Sequence, residues 1–460
     1  MIESPAAPSR MPASMRWHRL WMRFRRLPPV TAAFETALIV LGVVALLVLL
    51  PHHVDKDGYD RYQALSALLG HGRILDTKYS LIGPLFSAPL WYAGRALGLP
   101  YDGVGVYNWL VFAVGLACLY ALLKDRMDRR TLRAFLLLLI AGSMFPNHLT
   151  NYFGEVFTAM AVGVGLIAAQ VGRPRLGWAA VALGVANMPA ALPALALVVL
   201  VRIVQTHRPR YSLVVVLALA LIGAENWIRR GSPLATNYEN GFTEPFLIGL
   251  LSILFSFGKG LLFFAPGLLL PVRGVLAGLA EGTRRLLGTT HLLWVVFLGG
   301  LVLVYARWWA WYGGWFWGPR FFLIAGLPAC LALALRLRPA RWPSLLGDIA
   351  TLGALTLSVW VGINGAVYDQ NTLFDICHRD NYAYEFYCHY LPGYSVLWRP
   401  FTVPDPIDWH GALFIVYAAV VFVYLAAPVA RRIASELYGW LRLLVPITGS
   451  ASAGSRVPRH

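Results

Sequence analysis

The segment TAAFETALIVLGVVALLVLL, Thr31–Leu50, runs straight into PHHVDKDGYDRY, Pro51–Tyr62, and this pair decides the fold class. The first segment is an apolar run of about 20 residues, the length a helix needs to cross a hydrocarbon core of ~30 Å. Six arginines from Arg10 to Arg26 precede it, and no small-residue cleavage site follows it, so it reads as a retained span and not as a secretory leader. The second segment turns abruptly polar, with three carboxylates at Asp55, Asp57 and Asp60. A span that ends in a dense acidic cluster is the pattern of a membrane protein with chemistry at its surface.

The whole chain extends this reading. It has 460 residues, of which 58% are hydrophobic and 13% charged. A soluble domain carries about 25% charged residues, so this chain cannot cover its surface with polar groups. A soluble globular domain, a disordered chain and a disulfide-rich secreted module are all excluded. The net charge is +17, yet the basic residues form short clusters between apolar runs and no single tract. That spacing excludes a nucleic-acid partner and fits the positive-inside rule.

Alternating apolar runs with these clusters predicts an all-α polytopic bundle of about twelve spans with both termini cytoplasmic; the high Ala, Arg and Gly content points to a bacterium, and so to its inner membrane. Residues 1–30 form a basic cytoplasmic N-terminus, 31–430 the membrane domain, and 431–460 a cytoplasmic tail whose Ser-, Gly- and Ala-rich end is disordered. The external loops are 51–103, 225–259, 307–320 and 366–410, with a short one at 146–154. Within the first, Tyr59–Leu69 and Leu81–Leu97 read as helices lying on the membrane surface; Phe246–Phe255 reads the same way. Leu261–Val272 reads as a returning span. Leu176–Val204, interrupted at Pro189 and Pro193 and flanked by basic residues, reads as a hairpin of two short helices. With this assignment 27 of the 39 Lys and Arg residues fall on the cytoplasmic side.

Ionisable groups are costly in lipid, so functional ones should gather where the chain meets water. The acidic cluster holds more carboxylates than a helix cap requires. Asp57 is the general-base candidate, with Asp55 and Asp60 as close rivals, and Arg61, one turn beyond Asp57, is with Lys78 a candidate for binding phosphate. Lys78 opens the segment Lys78-Tyr79-Ser80-Leu81-Ile82-Gly83-Pro84-Leu85, where a cation can meet an anionic head group. Lys259, flanked by Gly258 and Gly260, and Arg320 at a re-entry point are further phosphate-binding candidates. Arg229 and Arg230 read as solvated or bound to head groups. Glu155 lies at the outer end of a span and suits acceptor binding. The segment from Arg307 to Arg320 carries Trp308, Trp309, Trp311, Trp315 and Trp317 beside Tyr312. That exceeds an interfacial aromatic belt, and such faces can stack on sugar rings; Trp308, Trp309, Trp311, Tyr312 and Trp315 are the sugar-binding candidates. Cys377 and Cys388 share the last external loop, where an oxidising exterior favours a disulfide. No zinc-type spacing stands out.

The acidic motif after the first span, the surface helices and the Lys78…Gly83-Pro84-Leu85 segment together resemble the glycosyltransferase-C superfamily, in particular protein O-mannosyltransferases and lipid A aminoarabinose transferases. The resemblance covers residues 30–270 in layout and about thirty residues in motif. The acids are spaced here where that family often has adjacent Asp-Glu, and its Lys-Pro-Pro-Leu segment is altered. The resemblance implies a polyprenyl-phosphate sugar donor used at the external face, a cell-envelope glycan or glycolipid acceptor, membrane lipids as partners, and inversion at the anomeric carbon. The three acids could also hold a divalent cation, Mg²⁺ or Mn²⁺. The competing reading is a multi-pass transporter or flippase of a lipid-linked sugar, which the Pro-broken hairpin would suit.

Overall fold

A computed structural model describes residues 29–235, 241–338, 344–368, 373–403 and 405–444. The basic segment before residue 29 and the Ser-, Gly- and Ala-rich end from residue 445 lie outside the described residues. Among the described residues the chain is helical, and its β contact is one isolated parallel bridge between His53 and Asn151.

The helices of nine residues or more are α1 Pro29–Val48, α2 Lys56–His71, α3 Ala88–Ala96, α4 Tyr107–Leu123, α5 Arg129–Ala141, α6 Glu155–Gln170, α7 Pro174–Asn187, α8 Leu192–Thr206, α9 Ser212–Arg230, α10 Phe246–Phe255, α11 Glu281–Tyr305, α12 Gly326–Arg336, α13 Leu345–Val367 and α14 Trp409–Leu444. Among the described residues, seven helical stretches are long and apolar enough to cross a membrane: Thr31–Val48, Pro100–Leu123, Pro189–Thr206, Pro209–Arg230, Glu281–Tyr305, Leu345–Val367 and Trp409–Leu441. Their starts and stops follow local chemistry. Asp128 accepts the Thr131 N–H at 3.0 Å and caps α5; α9 ends on Gly231 at φ +70°.

The other apolar runs form shorter helices, and burial shows where they belong. Every residue of α5 from Ala134 to Ala141, and of α12 from Gly326 to Leu335, is buried. A helix apolar on all sides belongs inside a protein core, and these two pack against each other at the centre of the bundle. The expected span Leu261–Val272 is not a continuous helix. It breaks into a helical turn Leu261–Phe264, a 3₁₀ turn Pro266–Leu269 and a short helix Arg273–Ala277. Pro266 has no N–H to continue the ladder. The broken segment packs against α12 and α13.

The helices expected within the external loops correspond more closely in their bounds. Tyr59–Leu69 lies within α2, while Leu81–Leu97 divides into Ile82–Leu85 and α3. α10 has the expected bounds and exposes Leu247, Ile248, Leu251 and Phe255. The hairpin forms as α7 and α8, joined by a 3₁₀ turn at Pro189–Ala191.

Two ends of the bundle can be told apart. At one, Thr283 Oγ1 donates to Arg126 O at 2.7 Å, Arg432 grips Asp348 through two hydrogen bonds of 2.8 Å, and Glu35 accepts from Arg133 and Tyr424. At the other, contacts join the loops after α1, before α6, after α9, after α11 and after α13. The site is built there.

Candidate active site

The chain leaves α1 and is held at once by the loop before α6: His53 N donates to Thr150 O at 2.8 Å. Asp55 stands at the N-cap of α2, but its carboxylate accepts from the Asn151 side chain and makes no cap hydrogen bond. At Gly58 a Cβ would lie 2.8 Å from Asn151 Oδ1 and 3.1 Å from Tyr152 O. Only glycine lets α2 lie this close to the 151–154 backbone. The close approach brings Asp57 over the start of α6.

There Arg320 Nη1 donates to Asp57 Oδ2 at 2.8 Å, and Arg320 Nε lies 3.7 Å from Glu155 Oε1. The three side chains are 10% (Arg320), 19% (Asp57) and 11% (Glu155) exposed, so the cluster is largely withdrawn from water. The guanidinium lies 3.7 Å from the centroid of the Phe316 ring, a cation–π contact that fixes its plane. Burial would raise the Asp57 carboxyl, but the Arg320 charge, hydrogen bonds from Tyr79 and Arg320, and the Lys78 charge together hold it below the usual value. Glu155 Oε2 is buried and accepts no hydrogen bond. Asp60 stands one turn further along α2, outside this ion cluster.

The Lys78–Tyr79 segment is presented by the end of α9. Arg229 donates to the carbonyls of Leu75, Thr77 and Tyr79 and to Thr77 Oγ1, at 2.6–3.1 Å. Glu225, one turn earlier, accepts from Ser80 Oγ and Leu81 N, both at 2.6 Å, and from Arg229 at 2.8 Å. Arg230 pairs with Asp76 at 2.9 Å. The Arg229 and Arg230 side chains are only 2% and 8% exposed. The expectation that they are solvated or bound to lipid is therefore corrected: a folded-back loop supplies more carbonyl acceptors than a head group would. The clamp sets Tyr79 against Asp57, with the Arg61 guanidinium 4.8 Å and the Lys78 ammonium 5.0 Å from the Tyr79 ring centroid. Asn187, at the tip of the α7–α8 hairpin, accepts from Gly83 N at 3.0 Å and donates to Gly154 O at 2.9 Å, tying this segment to the start of α6.

Lys259 sits behind the cluster. It is 3% exposed, and its ammonium donates to the carbonyls of Phe316, Gly318 (3.2 Å) and Gly314 (3.5 Å). Burial and the neighbouring Arg320 charge pull its pKa down to about 7, against Glu385, which raises it. Gly318 adopts φ +63°, a left-handed bend that lets the loop turn its carbonyl inward. The geometry makes Lys259 a strut for the loop that carries Phe316 beneath Arg320.

The tryptophans do not form one sugar-stacking surface. Trp308 packs on Phe242, Trp309 is exposed, Trp311 is buried against His389 and Tyr390, and Trp315 lies 4.3 Å from the His378 ring. Trp317 is buried and donates to Asn364 Oδ1 at 2.8 Å. Tyr312 donates to Glu385 at 3.4 Å and stacks near His389. Cys377 and Cys388 are disulfide-bonded with Cα atoms 6.1 Å apart, while Cys118 and Cys330 are free thiols. Among the described residues no three His, Cys, Asp or Glu side chains gather as a metal site, and Asp55 and Asp57 turn to different partners.

Asp57, Arg320, Glu155, Lys78 and Arg61 are thus brought to one place, with Lys259 behind them. Sequence reasoning missed Tyr79, Glu225, Asn187 and Phe316. Asn187 left a signal, as the lone asparagine in an apolar hairpin; the others left none above their surroundings. Comparison with protein families, curated proteins and solved structures finds no match.

Proposed function

We propose that this chain is a membrane-embedded glycosyltransferase of the glycosyltransferase-C type. It moves a sugar from a polyprenyl-phosphate donor to a cell-envelope glycan or glycolipid acceptor. The observation that carries this reading is the cluster of Asp57, Arg320 and Glu155, flanked by Tyr79, Lys78 and Arg61, at the end of the bundle that bears the surface helices. Asp57 takes the proton from the acceptor hydroxyl as that oxygen attacks the anomeric carbon. Such general-base assistance is worth roughly 10²–10⁴-fold. The bond from the anomeric carbon to the phosphate oxygen breaks on the opposite face, and the sugar is inverted. Lys78 and Arg61 meet the charge that builds on the departing lipid phosphate. Arg320 keeps Asp57 ionised and aimed, and Glu155 supplies a second acceptor for sugar hydroxyls.

In this reading the Asp57 end faces the periplasm of a bacterial inner membrane, and both termini are cytoplasmic. The shorter buried helices and the broken segment complete about twelve membrane passes. The exposed apolar faces of α9 and α10 meet lipid and guide the prenyl chain. A transporter would set ionisable groups along a mid-membrane path. The central helices α5 and α12 are instead sealed by apolar packing.

The test uses purified protein in nanodiscs with radiolabelled polyprenyl-phosphate sugars. Wild type should release or transfer the sugar, and Asp57→Asn should bind donor yet lose at least ~10²-fold in rate. Full activity in Asp57→Asn would remove Asp57 as the base. Absence of donor binding and turnover across the panel would reject the transferase.

A further inference from the structure

The loop stapled by Cys377–Cys388 covers a second group of polar side chains that the Asp57 chemistry does not use. His389 is 7% exposed, and neither of its ring nitrogens has a hydrogen-bond partner. A buried polar group without a partner is unfavourable, and native structures retain few of them. The ring is flanked by Tyr312, with centroids 4.4 Å apart, and by Trp311 at 5.4 Å. Burial and the nearby Lys259 charge push the His389 pKa down to about 3, so the imidazole is neutral and offers one donor and one acceptor. Glu385, half-buried on the same loop, accepts from Tyr312 at 3.4 Å and makes no other side-chain hydrogen bond among the described residues.

This group is linked to the Asp57 cluster through Lys259. Lys259 holds the carbonyls of the 314–318 loop, whose Phe316 ring lies under Arg320. The same ammonium is close enough to shift both Glu385 and His389. Lys56, next to Asp57, likewise lies near enough to act on His378 of the stapled loop.

We propose that Glu385, His389 and Tyr312 form a carbohydrate-binding subsite that holds the hydroxyls of the acceptor glycan beside Asp57. A sugar hydroxyl is both donor and acceptor, as a neutral imidazole requires. A carboxylate that keeps acceptor capacity takes a second hydroxyl, and Tyr312 holds that carboxylate beside the imidazole. A cation is the poorer fit, because no third ligand joins His389 and Glu385 among the described residues. The acceptor role rests on the transferase reading; carbohydrate binding by itself does not.

Direct binding separates the two. Neutral disaccharides terminating in glucose, galactose, mannose or arabinose are titrated into the nanodisc-embedded protein and followed by saturation-transfer NMR. At least one should bind wild type and Asp57→Asn alike. Binding should weaken tenfold or more in His389→Ala and Glu385→Gln. His389→Gln, which keeps a donor and an acceptor, should recover part of it and report on folding of the loop. Binding without any sugar transfer would leave the subsite standing and reject the transferase. Transfer with no effect of His389→Ala or Glu385→Gln on disaccharide binding or acceptor KM would overturn the subsite. So would failure of wild type to bind any disaccharide of the panel.

Discussion

Arg320 joins the site's carboxylates, because one guanidinium serves Asp57, Glu155 and Phe316 together. A lysine has no planar fork to span two carboxylates and lie flat on a ring. Arg320→Lys should lower sugar transfer at least tenfold at saturating donor. Arg320→Ala leaves two buried carboxylates uncompensated and should cost about 3 kcal/mol of stability, read as a lower thermal midpoint. Lys259 gives a pH test. Its pKa in the folded protein, about 7, lies below the usual 10.5. Between these values the unfolded chain binds more protons, so stability should rise as pH increases from 7 to 10.5. The penalty for burying the charged form is complete below pH 7. Lys259→Met should flatten the rise, measured as thermal midpoint against pH. An equal rise in both proteins would show that Lys259 is not its source.

At the scale of elements, two devices position the site. The C-terminal turn of α9 clamps residues 75–81 through Arg229 and Glu225, and both side chains are well buried. A hydrogen bond to a charged group contributes roughly 1.5–3 kcal/mol, so Arg229→Ala should release the loop. Hydrogen exchange at residues 75–81 should speed up, and donor affinity should fall tenfold or more as Lys78 and Tyr79 lose their placement. Unchanged exchange would mean the loop is held by other contacts. The second device is the disulfide, which closes a short loop and gains about 3 kcal/mol in the chain-entropy model. The Cys377→Ser, Cys388→Ser double variant should therefore be cleaved faster by protease between residues 378 and 390.

At the scale of the molecule, the loop contacts make an orientation experiment possible. Asp102 and Arg285 are both exposed, near opposite ends of the bundle. In a background with Cys118 and Cys330 replaced, Asp102→Cys should react with a membrane-impermeant maleimide in spheroplasts, and Arg285→Cys only after lysis. The reverse pattern would invert the proposed orientation.

Much of this architecture was legible from one dimension, and the reason is physical. Span length, capping and the Pro189 break depend on residues within a turn or two of one another, so Thr31–Leu50, Phe246–Phe255 and the hairpin could be read from their own letters. The cost of charge in lipid drives ionisable groups to the bundle ends, which made Asp57, Glu155, Lys78 and Arg320 candidates before any geometry was known. Their partnerships were not legible. Asp57 meets Arg320 across 263 residues, and Arg229 reaches Thr77 across 152. Lys259 and the tryptophans looked like surface chemistry, but the packing of α11, α13 and the broken Leu261–Leu269 segment turned Lys259, Trp311 and Trp317 inward. Local hydrophobicity and backbone chemistry determined the helices and the end at which polar groups gather. Only the tertiary structure decided which carboxylate is braced, which cation is a strut and which loop covers the site, because those outcomes depend on distant helices packing together.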